Sequence, residues 1–532
     1  MAKKLISLLL ALVLCVGVLA ACGPKDNGPT LPPDIGEVPV GPYVTPDLDG
    51  ATVEVYVISD PGYDPNTTYG KGVVEKALDM KLKYTVLTGT GATYQAVLAE
   101  GTRPDVTYFG GYNQSYTTYG QDGAYINIYS YLDYMPNLKA FLEEHKDDGL
   151  LDKFFVEEGV MYAAPIIGAT HNSSWTYLYR EDIFAENDLT WPKNQTEFEA
   201  TLRTLKEKYP DSYPFAMRQL TGQLLAAQKW SHLWGGIAIG YSTYNTFFTM
   251  GDDGDYYYGL SSEGHKEMAE YMLYLTNEGL MHPSCFTMTQ DQWMEAFSSN
   301  TSFITYDKVE RIPYLNAAGK NMNPNFKMTV GAPFNMGSHA QKTDVVSTTF
   351  SNTFTSGCYL IGAGDNIVNS IKYVDWLYSE EGIIASNWGV KGESYEEDAD
   401  GNKHYKEGFL ANNGGDQKKA GLSQMLGSGV VLTEAYMDTI DEDMKAAYEL
   451  AAQYEGKDAY QPFLSFTSGE QFIWETYGKP MVAYARKEWS KFALGQRDFS
   501  EWEKFQNELK ESYGYDILMT IHNDALARIN GK

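Results

Sequence analysis

Cysteine is scarce in this chain, with four in 532 residues, and basic residues are outnumbered, with 41 Lys and Arg against 70 Asp and Glu. None of Cys15, Cys22, Cys285 and Cys358 stands in a paired Cys/His spacing of the kind that holds zinc. A Cys285–Cys358 disulfide and two buried thiols are both compatible with the sequence, and the thiols are the preferred reading. The acidic excess gives a net charge of −29, or −31 once Lys3 and Lys4 are removed with the leader described below. Such a surface repels nucleic acid and anionic polymers, so neither is expected as a partner, although screening beyond about 8–10 Å leaves any single pocket unconstrained. The signatures HExxH, GxSxG and GxxxxGK[ST] are absent, which removes the usual marks of zinc proteases, α/β-hydrolases and P-loop NTPases.

Aromatic residues, by contrast, are abundant. The 41 tyrosines equal Lys and Arg together and stand beside 10 tryptophans. Rings with a polar tip suit half-wet surfaces. A pyranose offers such rings an apolar C–H face and a rim of hydroxyls, although most of the tyrosines must be ordinary core or surface residues.

Lys3 and Lys4 precede an uncharged apolar run over residues 5–21, the layout of a secretory signal. Leu19-Ala20-Ala21-Cys22 resembles the lipobox of bacterial lipoproteins, which implies a signal peptide over 1–21, cleavage before Cys22 and lipid on that residue. Residues 23–49 hold seven prolines and four glycines among Asp, Asn and Thr. That composition buries little, so 22–50 is read as a lipid anchor and disordered tether holding the globular part outside the membrane. About 480 residues remain, too many for one ordinary core, and two lobes are expected.

Residues 51–59 alternate as a strand, 72–79 read as a helix, 81–87 alternate again and 94–100 carry helical spacing, an α/β succession. Residues 103–109 form a short strand running into GGYNQSYTTYG, where ligands sit in open α/β sheets. Thr196 with Glu199, and Ser500 with Glu503, are read as capping boxes, and Asp365 as the cap of a helix bearing Ile367, Ile371 and Val374. No solenoid repeat is present.

The blocks EGVMYAAPI, YLYREDIFAENDLTWPKNQTEFEATLRTLKEKYP, KYVDWLYSEEG followed by NWGVKGESY, KFALGQRDFSEWEKF and NDALARI stand in an order that resembles the bacterial extracellular solute-binding proteins of the sugar type. These lipoproteins serve ABC importers. The resemblance implies a two-lobed periplasmic-binding-protein-like α/β fold (type II), each lobe a mixed sheet flanked by helices. By analogy the lobes are 51–168 with 303–362, and 169–302 with 363–532, and the crossings lie near 166–172, 302–308 and 360–365. It further implies an oligosaccharide ligand, importer membrane subunits as partners, a monomer, and a lipid-anchored place on the outer face of the cytoplasmic membrane of a Gram-positive-type bacterium. The ligand-binding residues it nominates are Tyr108, Phe109, Tyr112, Asn113, Trp175, Arg218, Trp230, Trp234, Tyr306, Asp307, Glu470 and Trp474. Catalytic residues and cofactors are not expected.

Three further signals bear on function. Glu396, Asp398, Asp400, Gly401 and Glu407 fall at EF-hand-like positions that would suit calcium, but Glu opens the loop and Lys403 occupies a usually apolar place. A hairpin turning at Asp400-Gly401 is favoured there, and a turn likewise for GDDGDYYYG at 251–259. A tethered glycan hydrolase would share the aromatic richness and needs only two carboxylates about 5–10 Å apart, and a peptide-binding protein of the same fold would grip an amine with an acidic side chain.

Overall fold

The computed structural model describes residues 35–58, 63–87, 102–110, 115–146, 154–157, 159–168, 175–219, 229–234, 247–251, 253–338, 357–423, 428–454 and 466–529, with positions 93, 96, 97, 100 and 464 between them. Its strands in chain order are β1 (Ala51–Ile58), β2 (Met80–Leu87), β3 (Val106–Gly110), β4 (Phe155–Glu157), β5 (Val160–Met161), β6 (Ala163–Gly168), β7 (Trp175–Arg180) and β8 (Phe248–Met250). There follow β9 (Tyr256–Tyr258), β10 (Ile304–Lys308), β11 (Met328–Gly331), β12 (Gly357–Ile361), β13 (Tyr395–Glu397), β14 (Lys403–Tyr405) and β15 (Val430–Val431).

Alternation of branched apolar and polar residues explains β1 and β2. Val53, Val55 and Val57 point inward while Thr52 is exposed, and Met80, Leu82 and Tyr84 alternate with exposed Lys81 and Lys83. The two strands pair in parallel, Ala51 opposite Met80 through Ile58 opposite Leu87. Helix Tyr69–Leu78 connects them, capped by the Thr68 hydroxyl and ended by Asp79 in the left-handed conformation. Gly70 lies so close to the backbone of Gly421 that a Cβ there would stand 1.9 Å from its carbonyl oxygen.

The first sheet has the order β15-β6-β12-β3-β1-β2, and the second β10-β7-β11. In the first, β12 runs antiparallel between β3 and β6, and every other neighbouring pair is parallel. In the second, both partners are antiparallel to β7, and Phe215 adds a parallel bridge to Ile304. These are the two mixed α/β lobes. A large aromatic core fills the second lobe, built on Phe198, Phe215, Trp230 and Trp489.

The partition by analogy places 303–362 with the first lobe, but its strands divide. β10 and β11 pair with β7 in the second sheet, and only β12 enters the first. Likewise helix Ile367–Trp376 packs on β1 and β12, within the lobe opposite to the one expected. The chain therefore passes between sheets after Gly168, between Gly331 and Gly357, and at helix Thr433–Met437. There Ala435 is buried against Trp388 and Tyr395, while Tyr436 and Met437 pack on the core beneath β11. The expected crossings at 302–308 and 360–365 are instead sheet strand β10 and the end of β12.

Cap positions also shift. Asn194, not Thr196, caps helix Gln195–Lys208; Asn366, without a side-chain bond, precedes helix Ile367–Trp376; and Asp498 caps the 3-10 turn Phe499–Glu501 before helix Trp502–Tyr513. The expected tether is shorter than 22–50. Leu48 is buried and its N–H donates to Leu78 O at 2.8 Å, Thr45 bonds Glu381, and the exposed Tyr43 lies beside Asp375. Cys285 and Cys358 are separate buried thiols. Among the described residues no helix is long and apolar enough to cross a membrane.

Asp375 ties two helices of the first lobe together. Helix Pro136–Glu144 has no side-chain cap of its own, and Asp375 accepts from its amides Asn137 N (3.0 Å) and Leu138 N (2.9 Å) and from Asn137 Nδ2 (2.8 Å). Burial pushes its carboxyl up to about 6 against these bonds. The folded state thus binds a proton there more tightly than the unfolded chain, so this group adds stability as pH falls through about 6 and withdraws it as pH rises. Denaturant unfolding at pH 7 and pH 4 should show the wild type gaining roughly 2–3 kcal/mol relative to Asp375→Asn at the lower pH. A difference that does not change with pH contradicts this assignment.

Candidate functional site

Strands β1, β2, β3, β6 and β15 direct their carboxyl ends to one edge of the first sheet, and β12 starts there. In the second sheet Trp175 at the start of β7, Lys308 at the end of β10 and Gly331 at the end of β11 share one edge. Six residues separate β6 from β7, so the two edges lie within about 25 Å of each other. In open α/β sheets the carboxyl edge is where ligands sit.

The second lobe's edge carries a buried ion pair. Arg218 grips Asp307 with two bonds, Nε to Oδ2 at 2.7 Å and Nη2 to Oδ1 at 2.9 Å, and both side chains are 1% exposed or less. Asp307 Oδ1 also accepts from Lys308 N at 2.7 Å, and the guanidinium lies 5.1 Å over the Trp293 ring. Ala216 N donates to Ile304 O at 3.0 Å and Gln219 N to Met288 O at 2.9 Å, which hold the Arg218 segment beside β10. The Thr176 hydroxyl donates to Gly331 O and Tyr306 OH to Trp175 O, fastening the three strand ends to one another. Lys229 is buried nearby, and burial together with the charge of Lys308 pushes its amine down to about 7.

Of the nominated residues, the structure gathers Trp175, Arg218, Tyr306 and Asp307 at this edge. Trp230 and Trp234 stand one layer deeper. Trp230 donates Nε1 to Tyr177 OH at 2.9 Å and meets Trp234 edge-on at 5.5 Å, and both rings are 1% exposed or less. Trp474 is sealed among Phe248, Phe466 and His522, and Glu470 completes the capping box of Thr467 at helix Ser468–Ile473 and chelates Arg528 at 2.7 and 2.6 Å. A ring without an exposed face cannot stack on a sugar, so Trp175, Trp230, Trp234, Tyr306 and Trp474 are core or backing residues here rather than platforms. Tyr108 is buried too, 5.8 Å from Tyr359, and burial raises its phenol above the ordinary range. Phe109 lies in β3 opposite Cys358, with its side chain outside the described part. Tyr112 and Asn113 lie outside the described residues.

Sequence reading missed Lys229 and Lys308, whose only signal is adjacency to Trp230 and Asp307. It also missed Phe472, 72% exposed on the helix that buries Trp474. The acidic stretch 396–407 forms the hairpin β13–β14, with Tyr395 opposite Tyr405. Asp398 accepts from the amides of Asp400 and Asn402 and from Asn402 Nδ2, which holds its carboxyl down at about 2, and Glu396 faces Lys406. Among the described residues no group of three or more acidic, His or Cys side chains converges on a common point.

The Arg218–Asp307 pair generates a prediction. Arg218→Ala leaves a buried carboxylate without its partner and should cost about 3–5 kcal/mol in denaturant unfolding, whereas Arg218→Met with Asp307→Leu should recover most of that loss. Equal losses in both variants contradict the account of the pair as mutual neutralisation.

Against known proteins, 558 chains of solved structure match. An alginate-binding protein is 20% identical, over 91% of this chain and 99% of its own, with a TM-score of 0.67. An HMO-binding, ABC-transporter-associated solute-binding protein from Bifidobacterium longum infantis is 16% identical, over 90% and 99%, at 0.71. A substrate-binding protein of S. pneumoniae in complex with kestose is 17% identical, over 90% and 99%, at 0.66. These likenesses establish the two-lobed fold. No curated protein sequence matches. The family model of bacterial extracellular solute-binding proteins matches residues 74–385, more than half of the chain, and this protein belongs to that family.

Proposed function

We propose that this protein is the substrate-binding component of an ABC importer and captures a neutral oligosaccharide between its two lobes. The observation that carries the reading is the two strand edges, joined after Gly168 by a six-residue crossing, one of them backed by buried Trp175, Tyr306 and the Arg218–Asp307 pair. Three of the structural relatives bear names or complexes that concern alginate, HMO or kestose, and the ring-rich composition suits such ligands. The buried pair keeps charge neutral behind that edge while fixing the Lys308 amide in place, a pre-organisation that saves ordering cost on binding.

Ligand contacts made by both lobes at once favour the closed form by their differential affinity. Turning a mostly open population into a mostly closed one takes about 5.5 kcal/mol of preference, and the importer reads that closure. Lipid on Cys22 after removal of the leader would hold the protein at the outer face of the membrane, and the reading is supported by the lipobox-like Leu19-Ala20-Ala21-Cys22 and by the attachment of Thr45 and Leu48 to the first lobe. The role is binding without turnover, and the working unit is a monomer.

A thermal-shift screen of the mature protein against neutral oligosaccharides and short peptides tests this. At a hundredfold excess over Kd a ligand adds about 2.7 kcal/mol to native stability, so at least one glycan should raise the melting temperature by several degrees and be recovered uncleaved. Shifts with peptides alone, or release of shorter sugars, would overturn the reading.

A further inference from the structure

A groove of about 360 Å³ opens on the second lobe away from the strand edges, between β9 and the helices Trp502–Tyr513 and Tyr515–Ile529. That volume lies in the range of small-ligand sites, roughly 300–1,000 Å³. None of its lining side chains comes from β7, β10, β11 or the Arg218 segment.

The groove has a consistent construction. Helix Trp502–Tyr513 turns Trp502, Phe505 and Leu509 to the core, and Glu503, Gln506 and Lys510, one step off that stripe, face the groove together with Asn507. Tyr257 comes from the outward side of β9, between buried Tyr256 and Tyr258. Tyr515 completes the other wall. Tyr258 N donates to its hydroxyl at 3.4 Å, and the Lys510 ammonium lies 6.0 Å from its ring. Gln506 is fixed by donating Nε2 to Ser261 O at 2.8 Å. Beneath, Ser262 caps helix Glu263–Asn277 and bonds His265, whose ring is buried and held neutral because burial pushes its pKa down to about 3.

Two half-buried tyrosines flank the carboxamides of Gln506 and Asn507 beside charged Glu503 and Lys510, with Tyr515 and Gln506 held by bonds to backbone, and together they offer flat apolar faces and hydrogen-bonding groups. This chemistry matches a sugar ring and suits neither an apolar helix nor a polyanion, which the net charge of −29 repels. Glu503, Asn507 and Lys510 of its wall are exposed to solvent, so a single sugar gains little there. A polymer of many equivalent units offers the groove many places to bind along one chain, a statistical gain per chain.

We infer that this groove is a second carbohydrate site, which docks a neutral polysaccharide chain on the outside of the second lobe. The inference deepens the carbohydrate reading given above and rests on it for the ligand class, but it uses different residues. Docking there would hold the protein beside the source of the oligosaccharides that it captures.

Native affinity electrophoresis of the mature protein in gels containing soluble starch, mixed-linkage β-glucan, arabinoxylan or glucomannan tests it. The wild type should be retarded in at least one gel, and Tyr257→Ala should weaken that retardation at least tenfold. Asn507→Ala, an exposed helical substitution, should weaken it several-fold, and both variants should keep the wild-type melting temperature and the thermal shift with captured oligosaccharide. Absence of retardation in all four gels overturns the inference, as does retardation unchanged in both variants. Loss of the oligosaccharide shift in Tyr257→Ala also overturns it, since the groove would then belong to the capture site. Retardation that depends on Tyr257 in a protein that no oligosaccharide stabilises would sustain the second site while removing the capture reading.

Discussion

Everything in this architecture hangs on a strand that returns from the far lobe. Gly357–Ile361 arrives after the second sheet is complete and inserts between β3 and β6, buried along its whole length. Its ladder bonds to both neighbours make the first sheet continuous, so the first lobe cannot close until the second has been threaded through. Because the insertion is antiparallel, β12 enters at the edge where the parallel strands end. The crossing after Gly168 leaves from the same edge, and the functional face is therefore set by connectivity rather than by any one side chain.

The lobes are stiff bodies on either side of that joint. The second packs its rings into one aromatic core and joins several of its internal charges: Arg218 with Asp307, Arg180 with Asp182, and Arg497 with Glu488 and Glu508. Close-packed cores deform little, so relative motion concentrates where the chain passes between them. Helix Thr433–Met437 is such a place, with Ala435 committed to one cluster and its next two residues to another.

How much of this was legible in the sequence depended on local pattern. The alternation in Ala51–Ile58 and Met80–Leu87 announces strands because one face of each is polar. Gly357–Ile361 has no such alternation, since both of its faces are covered, and its place in the first sheet rests on pairing with residues more than 180 positions away. The same limit explains β10, expected by analogy as a crossing at 302–308, whose pairing with β7 only tertiary structure supplies. Helix starts moved by a residue or more because several polar residues near each start can cap, and packing selects among them. The tryptophans show the limit most clearly. Trp175, Trp230 and Trp474 have the chemistry of sugar platforms, yet composition cannot distinguish a ring facing a cleft from one facing a core. Arg218 and Asp307 were recognisable as important individually, while their bidentate pairing was not, because nothing local links positions 218 and 307.

Ligand capture in this protein is a mechanical event in which one molecule joins two rigid lobes across the strand edges. Small-angle X-ray scattering of the mature protein, with and without a saturating oligosaccharide that raises its melting temperature, tests it most directly. The account predicts a smaller radius of gyration in the bound state and curves that interconvert on removing the sugar. Superimposable curves at full saturation would contradict it.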